Sequence, residues 1–147
     1  MASWAEFEAT EPRFAEKVRK LLSSRKHLTM ATLRKDGSPR ISGTEIQFAG
    51  KHLQIGSMTG AVKAMDLRRD ARIAIHGPTH DPAKSGTWRG EAKIAGRAVE
   101  VRVKGDDAHT FRIDIDEVVV TGLNAQRSAL VIESWSPARG RRVRERA

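Results

Sequence analysis

The stretch Gly56-Ser57-Met58-Thr59-Gly60-Ala61-Val62-Lys63 joins a predicted strand to a predicted helix over Ala61 to Arg69. Small residues at such a junction allow backbone N–H groups to approach an anion, and the N-terminus of the following helix adds a positive dipole. Lys63 adds a formal charge on the first turn. The stretch therefore predicts a phosphate-binding loop. Because it lacks the Walker spacing, a purely structural strand-to-helix turn is the alternative.

The periodicity of the rest of the chain predicts a mainly β domain. Apolar residues recur at helical spacing from Glu11 to Ser24. Gly77 to Gly90 is predicted to be a long exposed loop, and Gly96 to mark a bulge or a close backbone approach. Strands are predicted over Leu28 to Leu33, Arg40 to Phe48, His52 to Ile55, Arg72 to His76, Glu91 to Arg102, Phe111 to Thr121 and Ala129 to Trp135.

Six or seven strands with short connections and two or three short helices predict an antiparallel β-barrel. Closure of a barrel removes the exposed strand edges that an open sheet would leave. The length of 147 residues allows one domain with its own core.

Composition excludes several classes of protein. The chain has no cysteine, which rules out disulfides, thiol nucleophiles and thiolate metal sites and fits a reducing cytoplasm. No apolar run approaches the roughly 20 residues of a membrane-spanning helix. Residues 1–10 contain glutamates and no basic residue, unlike a secretory signal.

The net charge of +9 is concentrated at the C-terminus. The segment from Arg139 to Ala147 contains five arginines and one glutamate, which together supply +4 of that charge. This segment is either a lid that gathers an anionic ligand or a solvated chain end. Aromatic residues are few and tyrosine is absent, so nucleic-acid binding is not the expected main function.

The sequence contains no complete set of catalytic side chains. Its five histidines lack zinc-ligand spacing, and no serine lies in a GxSxG context. His80 and Asp81 form either an acid/base pair or, as we favour, two solvated loop neighbours. An anion site without catalytic groups is typical of a protein whose bound cofactor supplies the chemistry. Arg40 is a second candidate for the phosphate, which it could reach across a hairpin.

A set of short motifs lies in a fixed order along the chain. These are Thr32 to Arg40, Gly56 to Met58, Lys63, Asp66 to Asp70, Ile73 to Ile75, and Ile132 to Trp135 followed by arginines. In this order they resemble the pyridoxamine 5′-phosphate oxidase-related flavin-binding split barrels, and the resemblance covers most of the chain. It implies a homodimer in which both subunits build each of two cofactor sites.

The resemblance also implies the residues that would hold flavin mononucleotide (FMN). Arg40 and Lys63 would bind the phosphate, and the backbone of residues 41–44 would meet the polar edge of the ring. Gly56 and Ser57 would add N–H and hydroxyl donors. The full implied set is Arg40, Ile41, Ser42, Gly43, Thr44, Gly56, Ser57, Lys63, Glu91 and Trp135.

Three further roles follow from the resemblance. Glu91 stands where the oxidases carry a glutamine that touches the flavin. Trp135 would come from the partner subunit and form a wall beside the ring, and Arg141 or Arg142 would contact a small-molecule substrate. The implied activity is two-electron transfer, with no protein side chain assigned as the catalytic acid or base.

The chain departs from the family pattern at three positions. Glu45 replaces a lysine, Ala61 a serine, and Val62 a phosphate-binding arginine. Because other members of the superfamily use the deazaflavin coenzyme F420, that cofactor is the alternative to FMN. A non-enzymatic protein that binds flavin, haem or another anionic ligand is the alternative to an oxidoreductase.

Overall fold

The structure, a computed structural model, describes all residues from Met1 to Ala147. It contains three helices and nine strands. In chain order they are α1 (Trp4–Thr10), α2 (Pro12–Leu22), β1 (Leu28–Leu33), β2 (Pro39–Thr44), β3 (Ile46–Ala49), β4 (His52–Ser57), α3 (Val62–Arg69), β5 (Arg72–His76), β6 (Glu91–Val101), β7 (His109–Leu123), β8 (Leu130–Ser136) and β9 (Gly140–Arg146).

All strand pairs are antiparallel, which confirms the predicted mainly β architecture. The strand order is β2-β1-β5-β6-β7-β4-β3, and β8 and β9 extend the sheet from β7. The long strand β7 pairs with β4 through its first half and with β8 through its second half. The path ends at β2 and β3, which are not hydrogen-bonded to each other, so the ladder is open between them.

The two N-terminal helices cover the core of the sheet. Helix α2 begins with Pro12 and buries Phe14, Val18 and Leu22, the helical spacing that the sequence indicates. Helix α1, which the sequence did not predict, is capped by Ser3 and buries Trp4 and Phe7. None of the three helices combines the length and apolar character needed to span a membrane.

Several predicted elements are confirmed. Strands β1 and β5 have the predicted bounds, and residues 77–90 contain no helix or strand. The register of β6 against β7 shifts between Ala95 and Gly96, which confirms the bulge. A Cβ atom at Gly96 would lie 2.0 Å from the carbonyl oxygen of Asp114, so only glycine fits this approach without a backbone shift.

Replacing Gly96 with alanine should therefore lower the free energy of unfolding by about 1–3 kcal/mol, the usual cost of overpacking. Urea denaturation measures this value. Gly122, where a Cβ would meet nothing within 4 Å, is the control, and Gly122→Ala should change stability much less. Equal effects of the two substitutions would contradict this explanation of the bulge.

One strand prediction needs correction. The single strand expected over Arg40 to Phe48 is two strands, interrupted at Glu45. The interruption arises because β2 pairs with β1, whereas β3 pairs with β4 at the other end of the strand order.

The basic C-terminal segment is not a free chain end in this structure. It forms β9, which pairs with β8 from Leu130↔Arg146 to Ser136↔Gly140. Gly140 has a φ of +68° at the start of the strand, a conformation that glycine adopts readily. Most side chains of β9 are exposed, so the strand is held mainly by its backbone pairing.

Candidate functional site

A cleft of about 530 Å³ lies beside the end of β2, the end of β4 and the first turn of α3. It brings together five of the residues that the sequence singles out: Gly43, Thr44, Gly56, Ser57 and Lys63. These residues come from three elements that are separated in the chain. The predicted phosphate-binding loop and the predicted ring-binding strand therefore border the same space.

Glycines keep part of the cleft wall free of side chains. A Cβ atom added at Gly43 would meet nothing within 4 Å, and one at Gly56 would have its nearest neighbour at 4.0 Å. Side chains at these positions would therefore occupy open space beside the backbone. This leaves room for a ligand to approach the strands closely.

Lys63 joins the helix to the strand across the cleft. Its Nζ donates a hydrogen bond to the carbonyl oxygen of Gly43 at 2.8 Å. An ammonium group has three N–H donors, so two remain for a ligand. The side chain thus supplies a fixed positive charge to the cleft, which Ser57 also lines.

The loop between β4 and α3 is a tight turn that is tethered to the start of β7. Ala61 N–H donates to Met58 O at 3.0 Å, and Gly60 has a φ of +74°. The Thr59 hydroxyl donates to Asp107 O at 2.7 Å, and Gly60 N–H donates to Nε2 of His109 at 3.0 Å. The turn is therefore held by two contacts outside its own backbone.

Glu45, at the edge of the cleft, is partly neutralised by a neighbouring lysine. Its carboxylate lies 3.7 Å from Nζ of Lys26 and 3.8 Å from Nδ1 of His27. The contact with Lys26 offsets part of the negative charge that this departure from the family pattern brings to an anion site.

Arg40 lies outside the residues that line this cleft. Its Nε donates to Oδ2 of Asp66 at 2.7 Å, and Asp66 also accepts from the Thr32 hydroxyl at 2.7 Å and from Arg69 at 2.9 Å. Alternation along β2 puts Arg40 on the same face as Thr44. Its predicted partner is a phosphate, but the partner that the structure shows is Asp66.

Asp66 is 2% exposed and stays ionised to low pH. Burial favours its neutral form, but the hydrogen bonds from Arg40, Thr32 and Arg69 outweigh burial and lower the pKa from 3.8 to about 2. The carboxylate is therefore the fixed acceptor around which three elements meet.

This pKa predicts how stability changes in acid. Because the folded value lies below the unfolded value, the stabilisation from Asp66 is complete above about pH 4 and is lost as the pH falls through about 2. The full contribution is of the order of 2 kcal/mol. The difference in unfolding free energy between wild type and Asp66→Asn should shrink from pH 5 to pH 2, as urea titrations would measure. A constant difference would contradict the assignment.

The sequence of the domain also matches a family model. The model described as pyridoxamine 5′-phosphate oxidase matches residues 14–129, well over half of the chain. The chain belongs to the pyridoxamine 5′-phosphate oxidase family. No curated protein matches the sequence.

Solved structures share the fold. The chain is similar to PhzG from Burkholderia lata 383 in complex with tetrahydrophenazine-1-carboxylic acid, with a TM-score of 0.66, 10% identity, and coverage of 96% of this chain and 91% of that one. It is similar to a pyridoxamine 5′-phosphate oxidase-related FMN-binding protein from Nostoc punctiforme PCC 73102. The TM-score is 0.65, the identity is 10%, and the match covers 93% of this chain and 96% of that one. It is also similar to the haem storage protein HutZ from Vibrio cholerae, with a TM-score of 0.57, 18% identity, and coverage of 76% of this chain and 94% of that one. At these identities the similarity establishes the fold alone.

Trp135 is buried within its own chain. It is 4% exposed, and its ring centroid lies 4.8 Å from that of Phe7. Residues 133 and 135 point to the same face of β8, and that face is buried. In this chain the indole packs in the protein's own core, and its role beside a cofactor ring of the partner subunit stays a prediction.

The two arginines expected to contact substrate point to opposite faces of β9. Arg141 donates to Glu133 at 2.9 Å, and Lys17 also pairs with that carboxylate. Burial opposes ionisation of Glu133, but these two cations outweigh it and lower the pKa of the carboxyl. Arg142 is exposed opposite Ser134. Neither arginine borders the cleft that contains Lys63.

The remaining predicted residues also lie outside the cleft lining. Ile41 and Ser42 belong to β2, and Ile41 is 76% exposed. Glu91 begins β6 and lies 3.8 Å from His76. The ring of His80 forms a hydrogen bond with the hydroxyl of Ser24 at 2.8 Å. Its partner in the structure is therefore Ser24 and not Asp81, the partner in the possible acid/base pair.

Sequence reasoning missed four polar residues that line the cleft: His27, Gln47, Gln54 and Thr110. One signal was available, because Gln54 lies two residues before Gly56 and therefore on the same face of β4. Gln47 and Thr110 reach the cleft only because β3 and β7 pair with β4 on its two edges, and the sequence does not reveal those pairs.

Proposed function

We propose that this chain is an oxidoreductase that binds FMN in the cleft beside Lys63, with coenzyme F420 as the alternative cofactor. The observation that carries the proposal is the convergence of Ser57 and Lys63 with the backbone of Gly43 and Thr44 around one open space. The family match supports a flavin-type ligand, since a solved structure of the same fold is an FMN-binding protein.

The residues present fit a flavin phosphate and the edge of its ring. Lys63 would hold the phosphate with its two remaining donors, and the Ser57 hydroxyl would donate to the same group. Backbone groups of Gly43 and Thr44 would contact the polar edge of the ring. The open space at Gly43 and Gly56 allows this approach.

Arg40 keeps a proposed role at the phosphate from a second position. Its Nε is used by Asp66, which leaves the terminal N–H groups of the guanidinium for an anion. Asp66 would then orient Arg40, and Arg69 would share the charge of that carboxylate.

A bound flavin would supply two-electron transfer. The chain would position the ring and its phosphate, and the tethered loop would keep the N–H and hydroxyl donors in place.

Titration of the cofactor-free protein with FMN, F420 and haemin tests this proposal. We expect saturable binding of FMN, seen as a change in flavin fluorescence, followed by reduction of the bound flavin with a nicotinamide donor. Preferential binding of F420 would replace the cofactor and keep the reaction class. Binding of haemin alone would overturn the proposal in favour of the non-enzymatic alternative.

We also propose that the protein is a homodimer whose interface borders the cleft. Three large apolar side chains on the bordering elements are exposed: Ile41 by 76%, Met58 by 83% and Val62 by 56%. Exposed apolar side chains on neighbouring elements beside a cleft are candidates for a protein interface.

Sedimentation should give a mass of twice 16.3 kDa at micromolar concentration. Met58→Asp, which puts a charge on the proposed interface, should shift the mass toward one chain. Val143→Asp is the control, since Val143 is also exposed but lies on β9, which pairs only with β8. A monomeric wild type that binds FMN would contradict the interface.

A further inference from the structure

We infer that His109 is a positioning residue that makes the geometry of the loop Met58–Ala61, and with it the affinity for FMN, depend on pH. The effect on FMN rests on the proposed function. The effect on the loop does not.

The hydrogen bond from Gly60 identifies the protonation state of the His109 ring. Nε2 of His109 lies 3.0 Å from the Gly60 nitrogen. A backbone N–H can only donate, so Nε2 must carry a lone pair, and the proton of the neutral ring is on Nδ1. His109 is 8% exposed, so water cannot readily replace this contact.

Two charged groups lie at Nδ1, and they act in opposite directions. From β6, Oε1 of Glu100 lies 3.5 Å from Nδ1 and can accept a hydrogen bond from its N–H. From α3, Nη2 of Arg68 lies 3.3 Å from Nδ1, and because a guanidinium can only donate, it forms no hydrogen bond with a protonated Nδ1. On β4, the uncharged residue Ser57 lies opposite His109, and the loop Met58–Ala61 contains no charged residue. On the chain before His109, the nearest charged residue is Asp107, whose carbonyl accepts from the loop.

Glu100 stays ionised through the range in which a histidine titrates. The hydrogen bond from Arg68 is the largest influence on this carboxyl; burial opposes it, the contact with His109 adds to it, and the pKa falls from 4.5 to about 2. The arginine is always charged. Glu100 and Arg68 therefore keep their charges across the range in which histidine side chains in general gain or lose a proton.

Protonation of His109 removes the acceptor for Gly60. Once Nε2 carries a proton, it is a donor that faces another donor, so the contact must break. The loop then keeps only the tether from Thr59. Ser57 directly precedes the loop and Lys63 closely follows it, so both proposed phosphate ligands lose part of their fixed geometry, and FMN should bind more weakly at low pH.

Two variants separate this effect from others. A phosphate monoester gains a proton near pH 6, which weakens its binding whatever His109 does. His109→Gln provides a side-chain oxygen that can accept from Gly60 and does not titrate, so it retains only the phosphate effect. His109→Phe has no acceptor at any pH.

The first measurement uses the cofactor-free protein. Amide and imidazole ¹⁵N spectra between about pH 8 and about pH 5 should show that Gly60 N–H and His109 titrate with one midpoint, and that Gly60 does not titrate in His109→Gln. A proton on Nε2 at pH 8, or a Gly60 signal that ignores the titration of His109, would overturn the inference.

The second measurement is the Kd of FMN over the same pH range. The Kd of wild type should rise about three- to tenfold more than that of His109→Gln, a factor that corresponds to one hydrogen bond. His109→Phe should bind weakly at every pH. Parallel curves for wild type and His109→Gln would overturn the link to the cofactor. If FMN does not bind at any pH, the proposed function fails and the spectra alone decide the inference about the loop.

Discussion

Replacement of Asp66 with alanine should lower the free energy of unfolding by about 3 kcal/mol, near the lower end of the range for breaking a buried ion pair. The carboxylate is buried and accepts hydrogen bonds from Thr32, Arg40 and Arg69. Its removal leaves two guanidinium groups without their carboxylate partner. The loss stays near the lower end because the side chains of Arg40 and Arg69 are 24% and 38% exposed.

Urea denaturation of Asp66→Ala and Asp66→Asn measures this effect. The asparagine variant retains a hydrogen-bond acceptor and should lose less stability than the alanine variant. Asp81→Ala is the matched control, since Asp81 is an exposed carboxylate in the loop 77–90 and its removal should change stability by less than about 0.5 kcal/mol. A loss at Asp66 no larger than at Asp81 would contradict the importance of the cluster.

Local patterns predicted those elements that have a clear apolar face. Strands β1 and β5 were located with their observed bounds, and α2 was recognised from its helical spacing. The bulge at Gly96 was found because an isolated glycine in a strand signals a close backbone approach. In each case the information lies within a few neighbouring residues.

The elements that were missed lack such a face or depend on distant partners. Helix α1 has seven residues, too few for a helical period to stand out. Strand β9 has arginines on both faces, so its alternation cannot reveal a strand that backbone pairing with β8 holds in place. The break at Glu45 depends on the change of partner strand, which no local pattern records.

The candidate site was predicted where it depends on small residues and one lysine. Gly43, Gly56, Ser57 and Lys63 were identified from a strand-to-helix junction and a family resemblance, and the structure brings them to one cleft. Arg40 illustrates what the sequence could not supply. An arginine at a strand start can bind a ligand or a buried carboxylate, and Asp66 becomes its partner only through the packing of α3 on β1 and β2.

Lys63→Ala should weaken FMN binding by about 1.5–3 kcal/mol, the range for hydrogen bonds to charged groups. This loss corresponds to an increase in Kd of about ten- to 150-fold. Lys63 is the one lysine or arginine among the residues that line the cleft. Added salt should weaken wild-type binding more than it weakens binding by the variant, because the screened charge pair is present only in the wild type.

Isothermal titration measures this affinity, with two controls. Lys63→Arg keeps the charge and should lose less affinity than the alanine variant. Lys84→Ala removes an exposed lysine in the loop 77–90 and should leave the Kd unchanged. An unchanged Kd in Lys63→Ala would contradict the proposed phosphate site.

The most direct test of the central claim compares FMN with riboflavin, which lacks the phosphate, on wild type and on Lys63→Ala. If Lys63 binds the phosphate in this cleft, FMN should bind the wild type more tightly than riboflavin does. The substitution should then weaken FMN by about ten- to 150-fold and riboflavin by much less. Equal affinity of the wild type for the two ligands, or an equal loss for both in Lys63→Ala, would contradict the claim.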